Sequence, residues 1–228
     1  MRRSLILVLL VAAVACGPRR STDPTTIDPG LSTAGSKADG AVAERSEFAC
    51  VDHPLIDAWE YRLRTQRAFR ITTIDSLTRG NQYLGRFHEI LRDAGLPTGL
   101  ALLPVVESSF RVNARGRGGS VGLWQLQAPT ARRFGLFVTK RRDDRLDPER
   151  ATQAAVAYLA MLHDRYEDWP LALAAYNAGE GRVDRALKRL PGADYWDLIA
   201  ARHLSKITGD YVPRFFATVR MAEAGPAC

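Results

Sequence analysis

The stretch LALLPVVESSFRVNARGRGGSVGLWQLQAPTARRFGL, residues 100–136, carries the features around which we expect this chain to fold. Residues 100–106 have no charge and are almost all apolar, which predicts an element that is buried on most of its surface. This run ends at a single carboxylate, Glu107. Because burial raises the pKa of a carboxyl group, Glu107 is a candidate general acid near neutral pH. The same pattern also fits a core helix followed by an ordinary turn.

The segment that follows Glu107 is polar and rich in glycine. It contains Arg115, Arg117 and Ser120, together with glycines at positions 116, 118, 119 and 122. Glycine allows the backbone to approach a ligand closely, and loops of this kind often carry binding residues. We therefore expect residues 115–122 to form a ligand-contacting loop that leads into an ordered segment at residues 123–125.

The sequence around this stretch predicts α-helices and no strands. Apolar residues recur at helical spacing, and capping residues, Gly and Pro mark the ends of the segments. Thr98 is the expected N-cap of the helix that carries Glu107, with Pro104 in or just past its first turn. The other predicted helices cover residues 53–65, 74–94, 148–166, 169–179, 181–190, 194–201 and 209–224. We expect an all-α fold.

The N-terminus has the three parts of a secretory signal. Two arginines at positions 2 and 3 precede an apolar run at residues 5–14, and small residues then lead to Cys16. The apolar run is too short to span a bilayer as a mature helix. We predict that residues 1–15 are a signal peptide and that Cys16, placed as in lipoprotein cleavage boxes, carries a lipid that attaches the protein to a membrane. Cleavage by an ordinary signal peptidase stays open, because such boxes usually have Leu where this chain has Ala13.

Proline, glycine, serine and threonine dominate the segment after the signal. We expect residues 16–45 to be a disordered linker to a globular domain at residues 46–228. The chain of 228 residues has a formal charge of +7, which suits an anionic polymer, either nucleic acid or an acidic wall glycan. A secreted chain is directed away from nucleic acid, so we expect no nucleic-acid partner.

Two further cysteines lie at the two ends of the globular part. If Cys16 carries lipid, Cys50 and Cys228 remain, and they can pair in an oxidising compartment. Two unpaired thiols are the alternative, because disulfide geometry cannot be checked from sequence.

Three motifs follow one another along the chain: Glu107-Ser108-Ser109-Phe110, Gly122-Leu123-Trp124-Gln125 and Ala174-Ala175-Tyr176-Asn177-Ala178-Gly179. Their order resembles the catalytic domain of the lytic transglycosylases, most closely the membrane-bound type D branch. The resemblance extends from about Leu84 to Val219. It implies an all-α, lysozyme-like fold of the SLT or goose type, with residues 84–219 as its core.

The resemblance also implies an enzyme that acts on peptidoglycan strands. Such an enzyme cleaves the β-1,4 bond between N-acetylmuramic acid and N-acetylglucosamine without consuming water. Glu107 would protonate the departing oxygen and then, as a carboxylate, accept the proton of the muramyl C6 hydroxyl, which leaves a 1,6-anhydro ring. We expect no metal or organic cofactor, and we expect a periplasmic monomer attached to the outer membrane through Cys16.

The resemblance assigns further site residues. Gln125 would face the muramyl subsite, Tyr176 would border the acid, Asn177 would bind sugar, and Tyr211 would line the cleft. The family commonly has a serine where this chain has Gly116. We expect Ser108 or Ser120 to supply the missing hydroxyl.

Two other functions stay open. A lysozyme-like hydrolase would cut the same bond with water and would usually need a second carboxylate. Asp143, Asp144 and Asp147 are the nearby acidic residues, but the surrounding arginines and a helix start predict ion pairs and an N-cap for them. A catalytically silent wall-binding lipoprotein is the second alternative, because Gly116 removes a hydroxyl from the site.

Overall fold

The computed structural model describes residues 47–223. The predicted signal peptide, Cys16, the linker and Cys228 lie outside these residues. The α-helices of the described part are α1 (Pro54–Thr65), α2 (Arg67–Asp93), α3 (Leu103–Ser108), α4 (Ala128–Arg133), α5 (Pro148–Tyr166), α6 (Trp169–Ala178), α7 (Glu180–Arg189), α8 (Tyr195–Ala200) and α9 (Lys206–Ala222). Short 3-10 helices lie at Glu47–Cys50, Thr98–Leu102, Arg117–Gly119 and Asp144–Leu146. Between residues 47 and 223 the backbone forms isolated bridges but no strand, so the all-α prediction is confirmed.

Helix α6 is the centre of the domain. Its sequence WPLALAAYNA is apolar on all sides, and residues 171–175 are buried. Because a helix without a polar face is stable only where neighbours cover it, α6 is enclosed by α5, α7 and α9. Asp168 caps its first turn by accepting a hydrogen bond from the Leu171 N–H at 2.6 Å. The C-terminal end of α6 carries Tyr176 and Asn177.

Five predicted helices, α1 and α5 to α8, begin and end within one residue of their expected bounds. Two others are longer than predicted. Helix α2 begins at Arg67 instead of residue 74, because one extended residue, Gln66, is all that separates it from α1. Helix α9 begins at Lys206 instead of residue 209, because Ser205 accepts a hydrogen bond from the Thr208 N–H at 3.2 Å and so caps it. Hydrophobic spacing does not reveal either start, because the first buried residues of α2 are Thr73 and Ser76, and Ile207 in the first turn of α9 is exposed.

The predicted cap of the Glu107 helix is wrong. Thr98 is the first residue of a 3-10 helix that runs to Leu102, and α3 begins only at Leu103, with Pro104 in its first turn as expected. Residues 99–105 are buried along this whole path. Apolar packing, and not a capping side chain, therefore determines where α3 begins.

No helix between residues 47 and 223 combines the length and the apolar composition needed to cross a membrane. Cys50 is disulfide-bonded, and its partner cysteine lies outside the described residues. The pairing of Cys50 with Cys228 therefore stays a prediction.

Candidate active site

Glu107 lies in the last turn of α3, next to a sharp change of chain direction. Ser109 and Phe110 both have a positive φ, 52° and 53°, and the Phe110 N–H donates to the Pro104 carbonyl at 3.1 Å. The Phe110 ring packs over Gly80 of α2, where a Cβ atom would come within 2.7 Å of the ring. Tight packing and this turn together fix the position of the Glu107 side chain.

The Glu107 carboxyl is hydrogen-bonded to a tyrosine from a different helix. Tyr211 of α9 donates its hydroxyl proton to Glu107 Oε1 at 2.5 Å. Burial raises the pKa of Glu107 to about 7, although the Tyr211 hydrogen bond and the positive charge of Arg214 act to lower it. Burial and the nearby negative charge raise the pKa of Tyr211, so its hydroxyl remains a proton donor. A carboxyl group with this pKa can both donate and accept a proton near neutral pH.

Arg214 lies one turn beyond Tyr211 on α9. Its guanidinium carbon is 5.9 Å from the centre of the Trp59 ring, and among the described residues its buried Nε has no hydrogen-bond partner. Leaving a buried donor unpaired costs roughly 1–3 kcal/mol. Burial lowers the pKa of Arg214. Its electrostatic interactions with Tyr211 and Glu107, which are negatively charged when ionised, raise that pKa. The charge of Arg214 thus stabilises the ionised form of Glu107.

A polar cavity of about 520 Å³ opens beside Glu107. We call it the acid cavity. The predicted site residues in its lining are Glu107, Ser120, Gln125, Tyr176 and Asn177. The cavity also contains charged residues that the sequence did not single out for the site, among them Arg182 and Glu180. One polar cavity therefore brings together residues that lie up to 75 positions apart in the chain, from Glu107 to Arg182.

Ser108 and Tyr211 are not part of this lining. The Ser108 hydroxyl is buried and donates to the Pro104 carbonyl at 3.2 Å, one turn earlier in the same helix. Ser108 therefore does not supply the hydroxyl that is missing at Gly116. The Tyr211 hydroxyl is engaged by Glu107, so Tyr211 contacts the acid instead of lining the cleft.

Ser120 and Gln125 hold the glycine-rich loop in place. The Ser120 hydroxyl donates to Gln125 Oε1 at 2.8 Å, and the Gln125 amide nitrogen donates to the Gly122 carbonyl at 2.8 Å. A Cβ atom at Gly116 would lie 2.3 Å from Ser120 Oγ and 2.2 Å from Gln125 Oε1. The Ser120 hydroxyl thus fills the space that a side chain at position 116 would need.

Tyr176 and Asn177 connect α6 to neighbouring segments. The Tyr176 hydroxyl donates to the carbonyl of Trp124 at 2.8 Å, and the Trp124 ring is fully buried. Burial raises the pKa of Tyr176, and the nearby Glu107 adds to this effect. The amide oxygen of Asn177 accepts a hydrogen bond from the Thr208 hydroxyl at 3.1 Å. Both side chains therefore help to hold the walls of the acid cavity.

Arg145 supports the glycine-rich loop, and the sequence analysis missed this role. Its buried Nη1 donates to the carbonyls of Gly119 at 2.9 Å and Leu126 at 3.0 Å. Asp143 accepts from Arg145 Nη2 at 2.7 Å. Gly122 has a φ of 85°, and a Cβ there would lie 2.0 Å from the Arg145 carbonyl oxygen. The charged segment that contains Arg145 has the composition of a solvent-exposed surface, but Arg145 itself is buried and holds the loop in place.

The acidic residues of this run have the structural roles that the sequence predicts. The ion pair with Arg145 lowers the pKa of Asp143, and hydrogen bonding to Arg142 lowers the pKa of Asp144. Asp147 caps α5 by accepting a hydrogen bond from the Arg150 N–H at 2.9 Å. None of these three carboxylates lines the acid cavity.

The second carboxylate of the cavity is Glu180, which the sequence analysis also missed. It follows Gly179 at the start of α7, so the turn between α6 and α7 brings it to the cavity. Its two oxygens accept hydrogen bonds from Arg133 at 3.1 Å and from the Tyr158 hydroxyl at 3.2 Å. Both oxygens are thus already engaged by protein groups. Within residues 47–223, no group of three or more His, Cys, Asp and Glu side chains is placed to hold a metal ion.

The helical fold and the single acid of raised pKa beside a polar cavity define a lysozyme-like domain. Residues 75–199 match the family described as the transglycosylase SLT domain, and this match covers more than half of the chain. The chain belongs to this family, and the resemblance drawn from its three motifs is confirmed.

Two relatives illustrate the similarity in sequence. The membrane-bound lytic murein transglycosylase D of Escherichia coli (strain K12) is 35% identical over 148 residues, which are 63% of this chain and 32% of that protein. The peptidoglycan transglycosylase gp16 of Escherichia phage T7 is 43% identical over 79 residues, 34% of this chain and 6% of that protein. The chain thus spans about a third of the length of transglycosylase D and far less of gp16.

Solved structures show the same fold. The 70-kDa soluble lytic transglycosylase SLT70 of Escherichia coli has a TM-score of 0.53 at 22% identity, over 60% of this chain and 23% of that one. A complex of the 70-kDa soluble lytic transglycosylase with bulgecin A has a TM-score of 0.58 at 20% identity, over 75% of this chain and 29% of that one.

Proposed function

We propose that this chain is a peptidoglycan lytic transglycosylase, a lyase that cleaves the β-1,4 bond between N-acetylmuramic acid and N-acetylglucosamine without consuming water. The observation that carries the proposal is the Glu107 carboxyl, which has a pKa of about 7, accepts a hydrogen bond from Tyr211 and faces a polar cavity. Membership of the SLT family and the murein transglycosylases among the relatives support the substrate class.

Glu107 acts first as the acid and then as the base. Its proton goes to the glycosidic oxygen as the bond from muramyl C1 to that oxygen breaks. The resulting Glu107 carboxylate then accepts the proton of the muramyl C6 hydroxyl, whose oxygen forms the new bond to C1. The product has a 1,6-anhydro ring, and Glu107 ends the cycle protonated. A pKa near the working pH serves both steps.

Tyr211 and Arg214 stabilise the carboxylate that exists between the two steps. Burial alone would oppose ionisation of Glu107, and the Tyr211 hydrogen bond and the Arg214 charge act against this effect. The two residues are positioning residues, because we assign them contact with the acid and not with the sugar.

The lining of the acid cavity supplies the substrate-binding groups. We assign sugar contacts to Asn177, whose amide nitrogen has no partner among the described residues, and to Gln125 and Ser120 on the loop. Tyr176 borders the acid and holds the loop through its hydrogen bond to Trp124. Because Ser120 fills the space at Gly116, a silent wall-binding role has less support than catalysis.

A hydrolase would need a second carboxylate that is able to activate water. Glu180 is the candidate in the acid cavity, but Arg133 and Tyr158 engage its two oxygens. The Asp residues at positions 143, 144 and 147 lie outside the lining. These contacts favour the route without water.

We further propose that residues 1–15 direct secretion and that Cys16 carries the lipid that attaches the protein to the outer membrane, with residues 16–45 as the linker to the domain at residues 46–228. The order of charged, apolar and small residues supports this assignment. The location is then the periplasmic side of the cell envelope, and the proposed state is a monomer.

The test compares the purified protein with its Glu107→Gln variant on peptidoglycan, using mass spectrometry of the released fragments. Glutamine keeps the shape of the side chain but cannot donate the proton. The proposal expects anhydro-muropeptides from the unmodified protein and no release by the variant. Fragments with reducing ends would indicate a hydrolase, and release by both proteins would remove Glu107 from the chemistry.

A further inference from the structure

A second cavity, of about 410 Å³, lies next to the acid cavity. Ala178 and Arg182 belong to the linings of both. The hydrogen bond of 3.1 Å between the Thr208 hydroxyl and the Asn177 amide oxygen also joins the two, because Thr208 lines the second cavity and Asn177 the first. The two cavities therefore share a wall, and Arg182 lies at their common edge.

Three arginines of α7 line the second cavity: Arg182, Arg185 and Arg189. Residues at this spacing lie on one face of a helix. His203 belongs to the same lining. We call this second cavity the arginine cavity.

The positive charge of the arginine cavity is not compensated by the described residues. Within residues 47–223, none of its three arginines forms an ion pair, whereas Arg133, Arg165 and several others do. The acidic side chains nearby are already engaged: Glu180 with Arg133, Asp184 with Arg165, and Asp210 with Lys206. Guanidinium groups gathered in a concave surface attract anions and form paired hydrogen bonds with carboxylates.

We propose that the arginine cavity binds the carboxylate groups of the peptide attached to the glycan strand, while the muramyl sugar of that strand occupies the acid cavity. The inference rests on the proposed function and deepens it, because it makes the peptide-bearing strand the preferred substrate. The muramyl ring carries its peptide on a side substituent, so the peptide must leave the acid cavity beside the sugar. A phosphate polymer attached to the wall would offer similar anionic chemistry, and the test separates the two.

The test measures binding without cleavage. Full-length Glu107→Gln protein is mixed with peptidoglycan strands coupled to beads, and the bound fraction is determined by sedimentation of the beads. Three preparations are compared: one freed of phosphate polymers by acid, one stripped of peptides by an amidase, and one left untreated. The cavity variant adds Arg185→Gln and Arg189→Gln. The matched control adds Arg67→Gln and Arg70→Gln, which remove two exposed charges from α2 that form no ion pair within residues 47–223.

We expect the cavity variant to bind peptide-bearing strands about tenfold more weakly than the control, because two carboxylate contacts are lost. On strands stripped of peptide the two proteins should bind equally. Added salt should reduce the difference between them, since these charges are exposed. Arg182 stays unchanged because it also lines the acid cavity.

Three results would overturn the inference: equal binding of the two proteins to every preparation, the same loss on stripped strands, or a loss that disappears once phosphate polymers are removed. If the proposed function itself is wrong, the protein that retains Glu107 releases no anhydro products from peptidoglycan. The binding result does not depend on that outcome.

Discussion

Replacing Glu107 with glutamine should abolish cleavage and should also make the protein more stable at alkaline pH. The pKa of Glu107 is about 7 in the folded protein, against an ordinary value of 4.5. The folded state therefore holds this proton more tightly than the unfolded chain does. The resulting stability is fully present below pH 4.5 and is lost as the pH rises through 7.

The size of the effect follows from the difference between the two pKa values. A shift of two to three units corresponds to about 3 kcal/mol, since each unit is about 1.4 kcal/mol. The free energy of unfolding of the unmodified protein should thus fall by about 3 kcal/mol relative to the variant between about pH 4 and about pH 8. Glutamine can still accept the Tyr211 hydrogen bond, so the comparison isolates the ionisation of Glu107.

Urea unfolding of both proteins at a series of pH values, followed by tryptophan fluorescence, measures this difference. Other groups titrate in both proteins and cancel in the comparison. If the two free energies change in parallel over the whole range, the pKa of Glu107 is not raised, and the argument for a protonated acid at neutral pH fails.

Three further substitutions have definite expected outcomes. Tyr211→Phe removes a hydrogen bond that favours the carboxylate, so the alkaline limb of the pH–rate profile should move up by about one unit while the maximum rate falls; an unchanged profile would contradict this. Gly116→Ser should lower both the cleavage rate and the melting temperature, because the new Cβ would lie 2.3 Å from Ser120 Oγ. Adding Ser120→Gly should restore much of both. If the losses of the two substitutions simply add, the contact between the two positions is refuted. Gly122→Ala should lower the free energy of unfolding, measured in urea, by about 2–4 kcal/mol, because Gly122 has a positive φ and lies against a carbonyl oxygen. Gly85→Ala, with open space around it, should leave this free energy unchanged or raise it. Similar values for the two variants would refute the role of the positive φ.

The helices were largely predictable because their signals are local. Asp147 followed by Pro148 defines the start of α5, and the apolar sequence of α6 identifies it as a buried helix. Glu107 was found in the same way, since a lone acid after an apolar run is visible in the sequence. The starts of α2 and α9 were not predictable, because the residues buried near the start of α2 are Thr and Ser, and the apolar residue in the first turn of α9, Ile207, is exposed.

The rest of the site depends on contacts between distant segments. Nothing in the sequence around Glu180 indicates that α7 turns it into the acid cavity, and nothing around Arg145 indicates that it holds two loop carbonyls. Ser108 looks like a site residue because it follows the acid, but helix geometry points its hydroxyl back to Pro104. Such roles follow from packing and not from spacing along the chain.

The most direct test of the central claim is to cleave peptidoglycan in water enriched in the heavy oxygen isotope and to measure the masses of the new chain ends by mass spectrometry. If Glu107 serves as both acid and base, the C6 hydroxyl closes the ring and the anhydro ends contain no heavy oxygen. Incorporation of one heavy oxygen at C1 of each new end would mean that water is the nucleophile, and the proposed mechanism would be wrong.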